Sequence, residues 1–356
     1  CFRKFITYLS YYFIREIMRK RAILITGANG EIGHGLISSL HQKHEQNIIA
    51  LDLQPMDSKI TGYIKEGIVG NILDKNLLEQ INGEYAISEI YHLAALLSTR
   101  AEFSPQVAHE VNVGGTINLL ELAVKQSRSQ GQAVKYFFPS SIAVYGFTSL
   151  NEKILNPILK EDEHCDPQTM YGCNKLYCEK LGIYYSHHYQ RLAAEFTPGL
   201  VDFRSIRFPG LISASTIPTG GTSDYAPEMI HAAVQGKPYA CFVRPDTIIP
   251  FMTMPDAIKS ILNLMNADKQ KLSRLVYNIT AFHPTAEEFF DKILNYFSNA
   301  EVSYVINKKR QAIVDSWPAE VDDSIARADW GWKPEYDFQS AFETYLIPKI
   351  KLHYGQ

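Results

Sequence analysis

The chain has 356 residues, 46% of them hydrophobic, and 35 Lys and Arg against 38 Asp and Glu give a formal charge of -3. That composition fills a substantial core and excludes disorder as the default, while the lack of a basic balance excludes a nucleic-acid partner drawn by global charge. The length suits one large α/β domain plus a smaller lobe, or two domains.

Residues 1–20 read as a basic amphipathic arm. Arg3, Lys4, Arg15, Arg19 and Lys20 stand against the single acid Glu16, and Phe2, Phe5, Ile6, Leu9, Phe13 and Ile17 recur at rough helical spacing. Charge interrupts the run too often for a spanning helix. A surface helix, a membrane-associating arm or a targeting remnant fits it, and no membrane partner is assigned. The preferred reading takes Met18 as the natural start, just before the first strand.

The apolar run at 22–25 predicts a strand that enters T-G-A-N-G-E-I-G at residues 26–33, with a helix over 31–43. Gly27 permits a tight turn, Gly30 lets backbone approach a pyrophosphate, and Gly33 lets helix and strand pack closely. The helix start adds N–H groups and a positive dipole end for phosphates. A second strand over 48–51 ends at Asp52, at the spacing where an acid meets an adenosine ribose. Its charge opposes a 2′-phosphate and so favours NAD over NADP, and Gln54 adds no positive charge to offset it.

Helix 74–82, strand 87–93, helix 106–128, strand 135–139, helix 172–191 and strand 201–207 follow. This alternation predicts an α/β fold, a doubly wound Rossmann-type parallel sheet with its ligand crevice at the strand C-terminal ends. The texture then changes. Residues 208–223 read F-P-G-L-I-S-A-S-T-I-P-T-G-G-T-S, which suits a substrate loop or a plain surface loop. Helices over 225–236, 256–266 and 285–295 accompany a strand at 276–279. The expected division is the arm at 1–20, a dinucleotide-binding domain at 21–208, and a smaller mixed α/β substrate lobe at 209–347 with segments returning to the sheet.

Tyr171-Gly-Cys-Asn-Lys175 puts Tyr and Lys on one helical face. A cationic Lys175 would favour the phenolate of Tyr171, which makes Tyr171 a candidate base. Ser141 follows the strand at 135–139 and can orient a reacting hydroxyl or carbonyl. The cysteines at 1, 165, 173, 178 and 241 form no CxxC pair, so the chain reads as a reduced, cytoplasmic protein with no metal site. His187-His188 reads as helix surface.

These residues together resemble the extended short-chain dehydrogenase/reductase (NAD-dependent epimerase/dehydratase) family. The resemblance runs from about Arg21 to Tyr345. Its motifs are T-G-A-N-G-E-I-G, H-L-A-A-L at 92–96, N-V-G-G-T at 112–116, S-S-I-A-V-Y-G at 140–146 and Y-G-C-N-K at 171–175. The family likeness implies Ser141, Tyr171 and Lys175 as the catalytic group. It implies NAD contacts from Gly27, Asn29, Gly30, Glu31, Ile32, Gly33, Asp52, Leu73 and Asp74. Leu93, Ala94 and Ala95 would line the cofactor through backbone, Asn112 would support the geometry, and Tyr171, Lys175 and Pro209 would approach the nicotinamide half.

Within that family the likeness is closer to the branch of short-chain-type L-threonine 3-dehydrogenases. It lies in L-A-A-L-L-S at 93–98, S-I-R-F-P-G-L-I-S at 205–213, T-G-G-T-S-D-Y-A at 219–226 and D-S-W-P-A-E-V-D-D-S-I-A-R at 315–327. The branch implies L-threonine as the small-molecule substrate, NAD as cofactor and a homodimer. Ser98, Ser141, Tyr171, Gly210, Thr222 and Trp317 would meet the substrate. On the residues alone, Ser98 also suits a local backbone cap, Trp317 suits core packing, and Ser223 competes with Thr222. Two other functions stay open: a nucleotide-sugar 4-epimerase or dehydratase, and a catalytically silent NAD-binding scaffold. Ala143 stands where many epimerases carry a threonine, which removes one hydroxyl that would face a sugar.

Overall fold

The computed structural model describes residues 19–45, 47–218 and 221–355. Residues 1–18 of the arm expected over 1–20, and positions 219 and 220 of the glycine-rich loop, lie outside the described residues, while Lys20 already belongs to the first strand. Two compact units share the chain. The first takes residues through Ala95, Glu110–Phe138 and Cys178–Arg204, and the second takes Leu96–His109, Pro139–Tyr177 and the chain from Ser205 onward.

Seven strands form one sheet: β1 Lys20–Thr26, β2 Ile48–Asp52, β3 Glu66–Val69, β4 Tyr85–His92, β5 Val134–Ser141, β6 Val201–Phe208 and β7 Val276–Asn278. Their order is β7–β6–β5–β4–β1–β2–β3, with parallel pairing. β1 is therefore where the order reverses, because β2 lies on one side of it and β4 on the other. Thr26 pairs with Leu51 and with His92, so the glycine turn leaves the sheet at that switch point. The central strands are β-branched and aliphatic because both sheet faces are covered: Leu24, Ile25, Ala50, Leu51, Ile87 and Ile90 are all fully buried.

Helix α1, Glu31–Gln42, follows the turn and buries Gly33, Leu36, Ile37 and Leu40, one stripe at helical spacing. Each of the three larger side chains contributes about 1.5–3 kcal/mol of apolar burial. Helix α2, Lys75–Glu84, starts at Asp74, whose carboxylate accepts from the Asn76 and Leu77 amides.

Three expectations need correcting. The helix predicted over 106–128 is broken into Pro105–His109, a π-helical turn at Glu110–Gly114, and α3, Gly115–Gln130. The extra residue in that turn falls where Gly115 packs so closely on Ile72 that a Cβ would sit 2.3 Å from its Cδ1. The loop expected over 208–223 contains a strand, Gly210–Ile212, paired in parallel with Phe251–Thr253. The helix predicted over 172–191 is α4, Met170–His187, and starts two residues earlier.

The second unit has its own core, in which Trp317, Tyr225, Phe251, Phe289 and Phe342 are buried. Short parallel pairs brace it, Tyr239–Cys241 with Val302–Tyr304 and Ile158–Leu159 with Glu320–Val321. Pattern reading missed these strands because two or three residues carry no period. Among the described residues no helix is long and apolar enough to cross a membrane, and no His, Cys, Asp and Glu group is arranged to hold a metal ion.

Candidate active site

In the first unit the glycine turn is built from backbone. Gly27 has φ +69°, and its amide donates to Leu51 O at 2.9 Å. A Cβ there would lie 2.6 Å from Ala94 N, so glycine is required by conformation and by space. Gly33 is closed in the same way, since a Cβ would lie 2.4 Å from Ala28 O. Gly30 is different: only Gly27 O, at 3.1 Å, would meet its Cβ. Its outer side is open, which fits a ligand approaching the backbone. α1 starts directly after this turn, and the first N–H groups of a helix point out of its start, where an anion can meet them.

Asp52 closes this turn from β2. Its Oδ2 accepts from Asn29 N at 3.0 Å and its Oδ1 from Gln54 N at 3.1 Å. Asn29 in turn donates to Pro55 O at 3.0 Å and accepts from Asp57 N at 2.9 Å. The acid, the cradle and the helix start fit the ADP half of a dinucleotide. Leu93, Ala94 and Ala95 are half-buried beside Gly27, Leu73 lies near Gly114, and Asp74 is an exposed helix cap.

Sequence reasoning missed His92, the first residue of H-L-A-A-L. It is 2% exposed, with Nδ1 2.9 Å from Thr26 Oγ1 and Nε2 3.1 Å from Thr116 Oγ1. Thr116 donates its hydroxyl to Asn112 O at 2.6 Å, so it accepts from His92 Nε2–H. Thr26, hydrogen-bonded to Nδ1, also accepts from Ala94 N at 3.4 Å. The imidazole thus ties the end of β1, the Leu93–Ala95 segment and the π-helical turn into one network. The motif spelling was the available signal.

The second unit gathers Ser141, Tyr171 and Lys175. Ser141 ends β5, and its Oγ accepts from Ala143 N at 3.1 Å as the chain turns. Tyr171 lies in the first turn of α4, whose start is satisfied by side chains. Glu102 accepts from Met170 N at 2.8 Å, and Thr169 accepts from Gly172 N at 3.1 Å. Gly172 lets this turn approach the Ser141–Ala143 segment, because a Cβ there would lie 2.0 Å from Ala143 O. The Ser141 and Tyr171 side chains are hydrogen-bonded.

Lys175 is 4% exposed and donates to Pro139 O at 2.5 Å. Its ammonium lies 5.4 Å from the Tyr171 ring centroid, over the face. Burial pushes the Tyr171 phenol up to about 12, and the hydrogen bond with Ser141 opposes that. Desolvation dominates, and the phenol is neutral near pH 7 in this arrangement.

Also in the second unit, the Ser98 and Thr222 hydroxyls lie 3.2 Å apart. Ser98 opens a short helix whose N-cap position is Leu97, and the partner of its hydroxyl is Thr222. Thr222 is buried, whereas Ser223 is half-buried. Gly210 packs under Phe251, where a Cβ would meet Cδ1 at 2.5 Å, and Pro209 is buried beside it. Trp317 is 6% exposed within the core of the unit. Cys173 and His187 are exposed on α4, and His188 is exposed just past its end.

Comparison with known proteins agrees with this geometry. The family model described as NAD dependent epimerase/dehydratase family matches residues 23–280. A Bos taurus relative named L-threonine 3-dehydrogenase, mitochondrial, is 35% identical over 330 residues, 92% of this chain and 82% of the relative. The solved L-threonine dehydrogenase from Clostridium difficile is 35% identical with a TM-score of 0.82, covering 94% of this chain and 99% of its own. The L-threonine 3-dehydrogenase from Trypanosoma brucei is 36% identical with a TM-score of 0.82, covering 94% and 98%. With the family model spanning well over half of the residues and these relatives aligned along nearly all of them, the chain belongs to the NAD dependent epimerase/dehydratase family.

Proposed function

We propose that this chain is an NAD-dependent L-threonine 3-dehydrogenase. L-threonine is oxidised at its β-hydroxyl to 2-amino-3-oxobutanoate, with release of one proton and reduction of NAD to NADH. Bound NAD supplies the hydride acceptor. The glycine turn and the start of α1 would hold its pyrophosphate, and Asp52 would take the adenosine ribose.

Tyr171 removes the hydroxyl proton. Ser141 holds the reacting oxygen and, through its hydrogen bond, opposes the burial that keeps Tyr171 neutral. Lys175, fixed on Pro139 O, places a positive charge over the Tyr171 ring. The observation that carries the substrate is the Ser98–Thr222 pair. Two touching hydroxyls use one O–H between them and keep one O–H and spare lone pairs. That set serves both a carboxylate and an ammonium, the two ends that distinguish an amino acid from a simple alcohol. The relatives named for threonine oxidation support the same reading.

The test supplies purified protein and NAD with L-threonine or with UDP-glucose, following NADH and sugar products separately. Saturable NADH formation with threonine, accompanied by 2-amino-3-oxobutanoate, is expected. Epimerised sugar without threonine oxidation would overturn the proposal in favour of a nucleotide-sugar epimerase.

A further inference from the structure

Thr222 sits in a short segment held from two sides by side chains to which no role has yet been given. The Gly221 amide donates to Asp224 Oδ2 at 2.6 Å. The Gly221 carbonyl, which belongs to the same peptide group as the Thr222 amide, accepts from Arg310 Nη2. Both ends of Gly221 are therefore fixed, and the peptide plane leading into Thr222 is set by a guanidinium.

Arg310 is itself anchored. It lies in the helix Lys308–Asp315, whose start is capped by Asn307 accepting from the Lys309 and Arg310 amides at 3.1 and 3.2 Å. Its guanidinium carbon stacks 3.2 Å from the Phe242 ring centroid. Burial lowers its pKa, while the Glu228 carboxylate, Tyr239 and Asp224 raise it. Glu228 is oriented by the Tyr239 hydroxyl at 2.7 Å. A half-buried guanidinium is costly unless it is paired and hydrogen-bonded, and here one of its bonds goes to a loop carbonyl.

We infer that Arg310 is a positioning residue for amino-acid recognition: it acts through the Gly221 carbonyl to hold the Thr222 hydroxyl against Ser98. The inference rests on the reading of Ser98 and Thr222 as the amino-acid contacts. A planar, stacking fork suits this task better than an ammonium, because Lys can donate to the carbonyl but cannot stack flat on Phe242 at the same time. Arg310 affects threonine affinity and leaves proton transfer at Tyr171 unchanged.

The test is steady-state kinetics of the wild type, Arg310→Met, Arg310→Lys, Thr222→Ala and the Arg310→Met/Thr222→Ala double variant. Loss of one charged hydrogen bond predicts a KM for L-threonine raised roughly tenfold in Arg310→Met. Its kcat should stay within about twofold and its KM for NAD should not change, and Arg310→Lys should recover part of the loss. The double variant should bind threonine no worse than Thr222→Ala alone, because Arg310 has nothing left to position. Additive losses, or an unchanged threonine KM in Arg310→Met, would overturn the inference while leaving the proposed function standing. If Arg310→Met does not fold, Asp224→Ala removes the acceptor of the Gly221 amide, loosens the same peptide from its other side and should give the same KM rise. No rise there would equally overturn the inference. A wild type that does not oxidise threonine would overturn the functional reading and this inference with it.

Discussion

Replacing Gly172 by alanine should disable the catalytic group without altering any reacting side chain. In an open helix this exchange would stabilise by about 1 kcal/mol. Here the new Cβ would lie 2.0 Å from Ala143 O and 2.8 Å from Pro167 Cβ. Ala143 O is backbone and cannot rotate away. Reaching ordinary contact at 3.4 Å requires the start of α4 to retreat from the Ser141–Ala143 turn by about 1.4 Å. A hydrogen bond between Ser141 and Tyr171 does not survive that extension. Misplacement of about 1 Å costs on the order of a hundredfold in rate, and overpacking costs about 1–3 kcal/mol of stability. The expected result is therefore a kcat for threonine oxidation reduced about a hundredfold. NAD affinity by calorimetry should fall far less than kcat, because the glycine turn does not belong to the displaced helix start. Gly131→Ala is the control. Gly131 has φ +69° with nothing within 4 Å of its Cβ position, so only stability should fall, by about 1 kcal/mol. A Gly172→Ala protein with kcat within threefold of wild type would refute the close-approach argument. Equal loss of NAD binding would show that the damage is global.

Tyr171→Phe should lower turnover roughly a hundred- to ten-thousandfold, with the melting curve nearly unchanged. Since burial pushes the phenol up to about 12, the base form grows with pH through the neutral and alkaline range. Threonine kcat/KM should therefore climb from pH 7 to 9, and a flat wild-type profile would remove Tyr171 as the base. Asp52→Asn keeps an acceptor oxygen for the Asn29 amide but removes the charge facing a 2′-phosphate. A like charge about 4 Å away costs roughly 1 kcal/mol even in water, so NADP efficiency relative to NAD should rise about fivefold or more. Competition kinetics with both nucleotides would show it, and an unchanged ratio would detach Asp52 from cofactor choice.

The glycine turn was legible because its requirements are local. Gly27 needs a positive φ and Gly33 needs a missing Cβ, and a strand of Leu and Ile ahead of them has no other reading. Tyr171 and Lys175 were legible for a similar reason, since a spacing of four in a helix places two side chains on one face. Asp52 needed only the distance from one strand to the next. The helix predicted over 106–128 misled because a π-helical turn keeps the apolar pattern while adding a residue, and the small parallel pairs are too short to show a period.

What the sequence determined, then, were the backbone devices and the one-helix pair, whose causes act over a few residues. The tertiary structure alone decided which distant groups meet. Ser98 and Thr222 are 124 residues apart, and nothing in either segment indicates that their hydroxyls touch. His92 spans Thr26 and Thr116 in the same way. Burial is also a tertiary quantity: the spacing of Lys175 from Tyr171 suggested a lowered phenol pKa, but packing around the ring removed water and raised it. Hydrogen bonds across loops and the loss of solvent depend on where the chain returns, and that information is spread over the whole fold, with no period for a sequence to display.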